Sequence, residues 1–329
     1  MKRLSVVITN YNYERYVAAA IDSALALRWR DVEVVVVDDG STDASRSIIE
    51  RYGDRISAIF IENSTQRVAA NAGFAASTGD VVIFLDSDDI LPPDLPARLS
   101  AVWWPSVSKA QFRMQRIDAN GRPIGRPFPD YRHVPSPAAI RRWATRTSAY
   151  PTPPGSGNAY ARWFLERIFP VGPEVGDFAD SACLAAAPFA GDVVSLPDVI
   201  VGYRQHGAND SDVLADTRRF SREVQRARAR WSFARRMDHP TSPVDERPLF
   251  RSRELLQFRV AASRTSTVNR PLPGDGRLRM LWDSMLSPFH SGPEPISHRV
   301  VVAGWCIAML VAPHRLTDRL LAARYGMAQ

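Results

Sequence analysis

Four short apolar segments among the first ninety residues constrain the fold more than any other feature of this chain. Each is long enough for one buried strand, and the segments between them repeat apolar residues at helical spacing. The predicted strands are residues 4–9, 32–37, 56–61 and 81–85, and the predicted helices lie near residues 16–25, 48–49 and 69–77. Strands that are apolar throughout and alternate with helices indicate an α/β fold with a parallel sheet covered on both faces.

Polar residues follow every one of these strands. They are residues 9–12, 38–39, 62–63 and 86–89. In open parallel sheets, ligands bind beyond the carboxyl ends of the strands, where such residues would meet. The sequence therefore predicts one polar pocket at this edge of the sheet. Ser41, Thr42 and Asp43 are candidates for capping the helix that follows the second strand.

The most informative of these polar segments is the acidic cluster Asp86, Asp88 and Asp89, which ends the fourth apolar run. Unpaired carboxylates are costly in a core, so a cation is expected beside them. Oxygen ligands at this density suit Mg²⁺ or Mn²⁺, which leave coordination positions free for phosphate groups. A solvated acidic turn is the alternative. No glycine-rich dinucleotide or P-loop motif is present, so phosphates would be held through the metal.

Three ordered motifs carry a resemblance to a known family. They are Val6-Val7-Ile8-Thr9-Asn10-Tyr11-Asn12, Val37-Asp38-Asp39-Gly40-Ser41-Thr42-Asp43 and Phe84-Leu85-Asp86-Ser87-Asp88-Asp89. Over roughly residues 1–210 the chain resembles the family 2 glycosyltransferases, which are inverting enzymes of the GT-A fold. The resemblance implies a mostly parallel, Rossmann-like sheet flanked by helices. The remaining residues would then form a helical carboxyl-terminal extension.

The resemblance also implies roles for individual residues. Thr9, Tyr11 and Asp39 would hold the nucleotide of a sugar donor, and Asp86 would lie against that nucleotide. Asp86 and Asp88 would bind Mn²⁺ or Mg²⁺, with Asp89 behind them. The implied donor is a nucleoside-diphosphate sugar, with uridine preferred because it is the commonest donor base of the family.

Three further positions depend on weaker matches to the family. Asp180, before a predicted helix, fits the family's general base better than Asp177, although either carboxylate would also suit a helix amino terminus. His206 would complete the metal site or touch the diphosphate, or it is an ordinary loop histidine. Arg67 lies one turn before the family's usual arginine; it is either a diphosphate ligand or a surface residue.

The predicted activity is metal-dependent transfer of a sugar to a hydroxyl of a glycan or a lipid-linked acceptor. Inversion at the anomeric carbon would follow from attack opposite the leaving diphosphate, with one carboxylate as base. A non-catalytic nucleotide-sugar-binding protein and, less favoured, a nucleotidyltransferase stay open as alternatives. The predicted domains are a donor half at residues 1–100, an acceptor half at 101–212 and a basic helical extension at 213–329. Trp103, Trp104 and the Pro/Gly-rich segment 150–158 of the acceptor side are candidates for lining a sugar subsite, with buried tryptophans as the commoner alternative.

Composition points to a cytoplasmic protein. The 329 residues carry a net charge of +7, and the two cysteines, Cys183 and Cys306, lie in apolar surroundings that suit a reducing compartment. The amino terminus runs directly into a predicted strand, which leaves no room for a signal peptide. No nucleic-acid-binding module accompanies the positive charge.

The extension suggests a membrane partner. Arginines recur every four residues from Arg218 to Arg230 opposite an apolar stripe, and an uncharged apolar run covers residues 300–312. A solvated basic helix face and a face that binds anionic lipid both stay open for the arginines. The apolar run, at thirteen residues, is too short to span a bilayer and predicts a buried or interfacial helix. Peripheral association with the inner face of the membrane is the expected location.

Overall fold

A seven-stranded sheet is the centre of the amino-terminal part of the molecule. The computed structural model describes residues 2–131, 133–206, 218–238, 242–265 and 271–325. The strands are β1 (Leu4–Asn10), β2 (Val32–Asp38), β3 (Ser57–Phe60), β4 (Val81–Asp86), β5 (Val107–Ile117), β6 (Asn158–Ala161) and β7 (Asp192–Arg204). Their order across the sheet is β3-β2-β1-β4-β6-β5-β7, and only β6 runs against its neighbours. The predicted mostly parallel α/β sheet is confirmed.

Helices connect the strands and continue beyond the sheet. The first seven are α1 (Val17–Leu25), α2 (Ser45–Glu50), α3 (Gln66–Ala76), α4 (Leu95–Ser100), α5 (Pro137–Thr147), α6 (Arg162–Leu165) and α7 (Ala179–Ala190). The remaining six are α8 (Arg218–Asp238), α9 (Arg247–Arg251), α10 (Arg253–Thr265), α11 (Arg277–Leu286), α12 (Ile296–Val311) and α13 (Thr317–Tyr325). The carboxyl-terminal region is therefore helical, as predicted.

The chain forms two compact units. Unit 1 contains residues 1–141 and 151–207, and unit 2 contains residues 142–150 and 208–329. Unit 1 thus includes the whole sheet, whereas the sequence assigned residues 142–150 to the acceptor half. In unit 1 the apolar strands β1, β2 and β4 and one face of α1 form a continuous core. In unit 2 buried side chains from α8, α10, α11, α12 and α13 form a separate core that includes Cys306.

Two local predictions were wrong in detail. Helix α3 begins at Gln66, three residues before the predicted start, because Thr65 accepts a hydrogen bond from the Val68 amide and caps the helix. Helix α2 begins after Ala44, which makes no side-chain cap; the Asp43 carboxylate instead accepts from the Ser45 amide. Cys183 and Cys306 are both buried free thiols. Among the described residues, no helix has the length and apolar character needed to cross a bilayer.

Candidate active site

The strand register brings the polar strand ends together. Thr9 of β1 lies beside Asp86 of β4, and Asn10 lies beside Asp38 of β2. Because β6 is antiparallel to both β4 and β5, while β5 and β7 are parallel, β7 also ends at this edge, at Arg204. The carboxyl ends of the four predicted strands, β1 to β4, therefore lie at one edge, as the sequence predicted, and β5 and β7 end there as well.

Hydrogen bonds hold the two loops that follow β1 and β2 against each other. The buried Asp38 carboxylate accepts from Asn10 Nδ2 at 2.8 Å and from both the amide and the hydroxyl of Ser41 at 2.9 and 2.7 Å. Asn12, at a positive φ of 58°, accepts from the Thr42 amide through Oδ1 at 2.7 Å. These bonds hold the loop after β1 against the loop after β2 without a ligand.

Asp39 is the buried carboxylate of this region that the family resemblance assigns to the nucleotide. Its Oδ1 accepts from the Ser64 amide at 2.9 Å, and its carbonyl accepts from Asn63 Nδ2 at 3.1 Å. Burial raises the pKa of Asp39, and the neighbouring charge of Asp38 adds to that shift. Tyr11 is 45% exposed, so its ring is free to meet a ligand at the rim of this pocket.

The acidic turn after β4 is tied to the end of β7. Asp89 is fully buried and accepts from the Arg204 amide at 2.9 Å, while Arg204 Nε donates to the Asp88 carbonyl at 2.8 Å. His206 Nε2 lies 3.1 Å from Asp88 Oδ2. The imidazole also stacks on the Tyr16 ring, with centroids 5.1 Å apart. The structure therefore brings His206 to Asp88, although the two are 118 residues apart in sequence.

Asp180 lies in the same site, beside a loop that contains Gly155. A Cβ placed on Gly155 would lie 3.4 Å from Asp86 Oδ2 and 3.5 Å from Asp180 Oδ2, so the two carboxylates flank this glycine. The adjacent Ser156 accepts from the Asp86 amide through Oγ at 3.0 Å. Sequence reasoning saw this Pro/Gly-rich segment only as part of the acceptor side. Its role beside the acidic turn becomes visible only once the loop is placed.

A buried lysine stabilises that loop through hydrogen bonds. Lys109 of β5 is fully buried, and its Nζ donates to Thr152 Oγ1 at 2.7 Å and to Asn158 Oδ1 at 2.9 Å. Asn158 Nδ2 in turn donates to the carbonyls of Pro153, Pro154 and Gly155. Burial holds the pKa of Lys109 well below its usual range. No sequence pattern predicted this network, in which Lys109 and Asn158 are 49 residues apart.

Arg67 positions the segment that precedes Asp180. Its Nε donates to the Gly176 carbonyl and its Nη1 to the Val171 carbonyl, both at 3.0 Å. Its backbone amide donates to the Asp177 carbonyl at 2.7 Å. These bonds fix the loop before α7, in whose first turn Asp180 lies. A contact between Arg67 and a donor diphosphate stays a prediction.

Electrostatic repulsion is concentrated at the acidic turn. Burial, together with the charges of Asp88 and Asp180, raises the pKa of Asp86 to about 7. Burial also raises the pKa of Asp88, which His206 partly offsets, and burial with the charges of Asp86 and Asp88 raises that of Asp89 well above its usual range. Carboxylates crowded in this way favour a positively charged ligand.

The residues present fit a divalent cation that is shared with a ligand. No group of three or more His, Cys, Asp or Glu side chains in the described ranges is arranged to hold a metal by itself. A cation bound by Asp86 and Asp88 would therefore need further oxygen ligands, such as phosphate oxygens. The glycine at position 155 leaves space between Asp86 and Asp180, which a side chain would fill. The Asp86 and Asp88 carboxylates supply oxygen ligands, as Mg²⁺ and Mn²⁺ prefer, while His206, which was predicted to complete the metal site, contacts Asp88.

The predicted tryptophan subsite is wrong. Trp103 and Trp104 precede β5, and β5 runs in the same direction as β4, so they lie at the opposite edge of the sheet from the acidic turn. Trp103 packs against the core, and Trp104 Nε1 donates to Asp192 Oδ2 at 3.0 Å. Both side chains therefore have structural contacts.

A comparison with family sequence profiles shows which family this part of the chain resembles in sequence. The profile of "Glycosyl transferase family 2" matches residues 5–154. This range includes the loops after β1 and β2 and the acidic turn, and it ends one residue before Gly155. Residues 5–154 of this chain belong to glycosyl transferase family 2. The same conclusion is supported by a relative in Nostoc sp. named "Uncharacterized glycosyltransferase alr2836", which is 40% identical over 218 residues.

Two solved structures share the fold of this chain. One is S. aureus TarS (residues 1–349) in complex with UDP-GlcNAc, with a TM-score of 0.56 and 16% identity, covering 98% of this chain and 92% of that one. The other is the mannosyltransferase PcManGT from Pyrobaculum calidifontis in complex with GDP-Man and Mn²⁺, with a TM-score of 0.52 and 20% identity, covering 98% and 86%. At these identities the likeness establishes the fold. The match to the Nostoc relative covers 63% of this chain and 66% of that protein, just under two thirds of its length.

Proposed function

We propose that this chain is an inverting, metal-dependent glycosyltransferase that moves a sugar from a nucleoside-diphosphate donor, with UDP as the preferred nucleotide, to a hydroxyl of a glycan or lipid-linked acceptor. The observation that carries the proposal is the convergence of Asp86 and Asp180 on the space beside Gly155, with the charge of Asp88 close to Asp86. Solved neighbours bound to UDP-GlcNAc and to GDP-Man with Mn²⁺ support a nucleotide-sugar donor.

The donor would lie across the ends of β1, β2 and β4. Thr9 and Tyr11 contact the base and ribose from the first loop, and Asp39 accepts a hydrogen bond from the ribose. The loop is already ordered by the Asp38 and Asn12 hydrogen bonds, so little conformational entropy is lost on binding. Asp86 lies against the nucleotide, which places the diphosphate beside Asp88.

Asp86 and Asp88 would hold the cation, with His206 fixing the orientation of the Asp88 carboxylate. When bound, a divalent cation neutralises the charge that develops on a departing diphosphate. Asp180 stands on the other side of Gly155 and takes the proton from the attacking acceptor hydroxyl. The acceptor oxygen then attacks opposite the leaving group, which inverts the anomeric carbon. Arg67 contributes by fixing the loop before Asp180.

The test compares Asp180→Asn with Asp198→Asn, a variant at an exposed carboxylate on β7. Release of nucleoside diphosphate is measured with UDP-GlcNAc, UDP-glucose and GDP-mannose in the presence of Mn²⁺. Loss of a general base lowers turnover by about 10²–10⁴. We expect that loss in Asp180→Asn with donor affinity nearly unchanged, and normal turnover in Asp198→Asn.

Several outcomes would contradict the proposal. If Asp180→Asn loses donor affinity but keeps its turnover at saturation, the base is misassigned and Asp177→Asn becomes the variant to measure. Donor binding without any nucleoside diphosphate release, with or without acceptor, would identify a binding protein. Pyrophosphate release from a nucleoside triphosphate and a sugar phosphate would identify a nucleotidyltransferase.

A further inference from the structure

Helices α11 and α12 of unit 2 are apolar on two sides. Their inward side chains, among them Met280, Val302, Cys306 and Met309, lie in the core of the unit. Most of the exposed large hydrophobic side chains among the described residues also lie on these helices or just beyond them. Those side chains are Leu278, Trp282, Met285, Leu286, Phe289, Ile296, Val300, Val301, Val311 and Leu316.

The exposed side chains of α11 form one stripe. Leu278, Trp282, Met285 and, just past the helix, Phe289 follow each other at intervals of four, three and four residues, which places residues on one helix face. Leu278 is 83% exposed and Phe289 is 81% exposed. Side chains of this size are costly to leave in water, at about 25 cal/mol for each Å² of apolar surface.

Helix α12 repeats the pattern beside it. Ile296, Val300, Val301 and Val311 are all more than half exposed, while the opposite side of the helix is buried. A helix that is apolar all around its circumference normally has apolar surroundings on every side. With 16 residues, α12 is shorter than the ~20 residues that cross a bilayer. Its outer face therefore fits an environment at the surface of a bilayer.

The exposed charges around these stripes are mostly positive. Between residues 277 and 316 the exposed ionisable side chains are Arg277, Arg279, His298, His314 and Arg315. Of the acidic side chains in the same segment, Asp283 is buried on Arg259, and Glu294, whose side chain is 36% exposed, pairs with Arg253. The exposed Asp318 follows just beyond Leu316. A surface with apolar and aromatic side chains, and with more basic than acidic groups at its margins, is complementary to anionic lipid headgroups over an acyl layer.

We propose that the outer faces of α11 and α12 bind the surface of an anionic phospholipid bilayer, with Trp282 and Phe289 in the interface and the arginines at the headgroups. These faces replace the arginine-rich helix α8 as the expected site of lipid contact. There Phe220 and Trp231 are buried, and both Arg226 and Arg230 lie close to Glu223. The inference does not depend on the donor chemistry of unit 1.

The experiment uses the full chain and two kinds of vesicle, phosphatidylcholine alone and phosphatidylcholine with phosphatidylglycerol. Wild type should sediment with the anionic vesicles, and less so as salt rises, because the Debye length shortens. The double variant Leu278→Ser/Phe289→Ser should bind at least tenfold more weakly. Both positions are highly exposed, so the fold should be retained, which an unchanged circular dichroism spectrum would verify. Val134→Ser, at an exposed valine of unit 1, is the matched control and should bind as wild type does.

Three outcomes would overturn the inference. Equal recovery of wild type and double variant with anionic vesicles would show that the stripes make no contact with lipid. Loss of binding in Arg218→Gln/Arg222→Gln, with the double variant unaffected, would return the contact to α8. A wild-type dimer that becomes a monomer in the double variant, without vesicle binding by either, would identify a second copy of the chain as the occupant.

Discussion

Both units of this molecule contain buried acids, but among the described residues only in unit 2 are the acids paired with a fully buried guanidinium. In unit 2, Asp275 and Asp283 both accept hydrogen bonds from the guanidinium of Arg259, which is itself completely buried. In unit 1, Asp86, Asp88 and Asp89 lie in one turn, and burial together with the charges of Asp88 and Asp180 raises the pKa of Asp86. An acid paired with a buried cation contributes to the fold, whereas acids whose pKa stays raised despite neighbours such as His206 mark a place where a ligand brings the charge.

The largest effect on stability is expected from breaking the paired cluster. Arg259→Met would leave the buried Asp275 without its cation and Asp283 with only the more exposed Arg279. Removing one partner of a buried ion pair typically costs about 3–5 kcal/mol. Urea unfolding of the full chain, followed by circular dichroism, should show this loss in free energy of unfolding. Arg247→Met is the control, because Arg247 and Asp245 form an exposed pair worth only about 0–1 kcal/mol. Equal effects of the two substitutions would mean that the buried network is not structural.

The space between the crowded acids is tested by Gly155→Ala. The added Cβ would make ordinary contacts with Asp86 and Asp180 and would meet no backbone atom, so stability should be retained. It would occupy the space proposed for the cation and the reacting groups. We expect turnover to fall at least tenfold, equivalent to about 1.4 kcal/mol. Gly276→Ala, where a Cβ would meet nothing within 4 Å, should leave turnover unchanged. Full activity of Gly155→Ala would show that the site lies elsewhere.

A smaller effect, of opposite sign to that of Arg259→Met, is expected from Asp86→Asn. The pKa of Asp86 rises from 3.8 to about 7 in the folded protein, so the folded state holds its proton more tightly than the unfolded state does. The stabilisation that this protonation provides is present below pH 3.8 and is lost as the pH rises through about 7. In EDTA at pH 8, Asp86→Asn should therefore be more stable than wild type by on the order of 1 kcal/mol. The difference in free energy of unfolding should shrink as the pH falls. A variant less stable than wild type at pH 8 would contradict the claim that the ionised Asp86 carboxylate destabilises the fold.

Much of this arrangement was accessible from the sequence because it follows from local patterns. Unbroken apolar runs predicted the strands, and their parallel order placed the polar ends at one edge. The contribution of Arg204, which joins Asp88 to the end of β7, depends on a contact between residues 116 positions apart. Gly155 lies in a Pro/Gly-rich segment without periodicity, so no pattern could predict its position. The error at Trp103 and Trp104 has the same origin, since strand direction beyond β4 was not predicted.

The central claim is that a cation and a nucleoside diphosphate bind together at the acidic turn. Thermal unfolding of wild type and Asp88→Asn, measured with UDP, with Mn²⁺ and with both, tests it most directly. A ligand at one hundred times its dissociation constant stabilises a protein by about 2.7 kcal/mol. The account predicts a large shift for wild type only when UDP and Mn²⁺ are both present, and no such shift for Asp88→Asn. An equal shift with UDP in EDTA, or the same response in the variant, would contradict it.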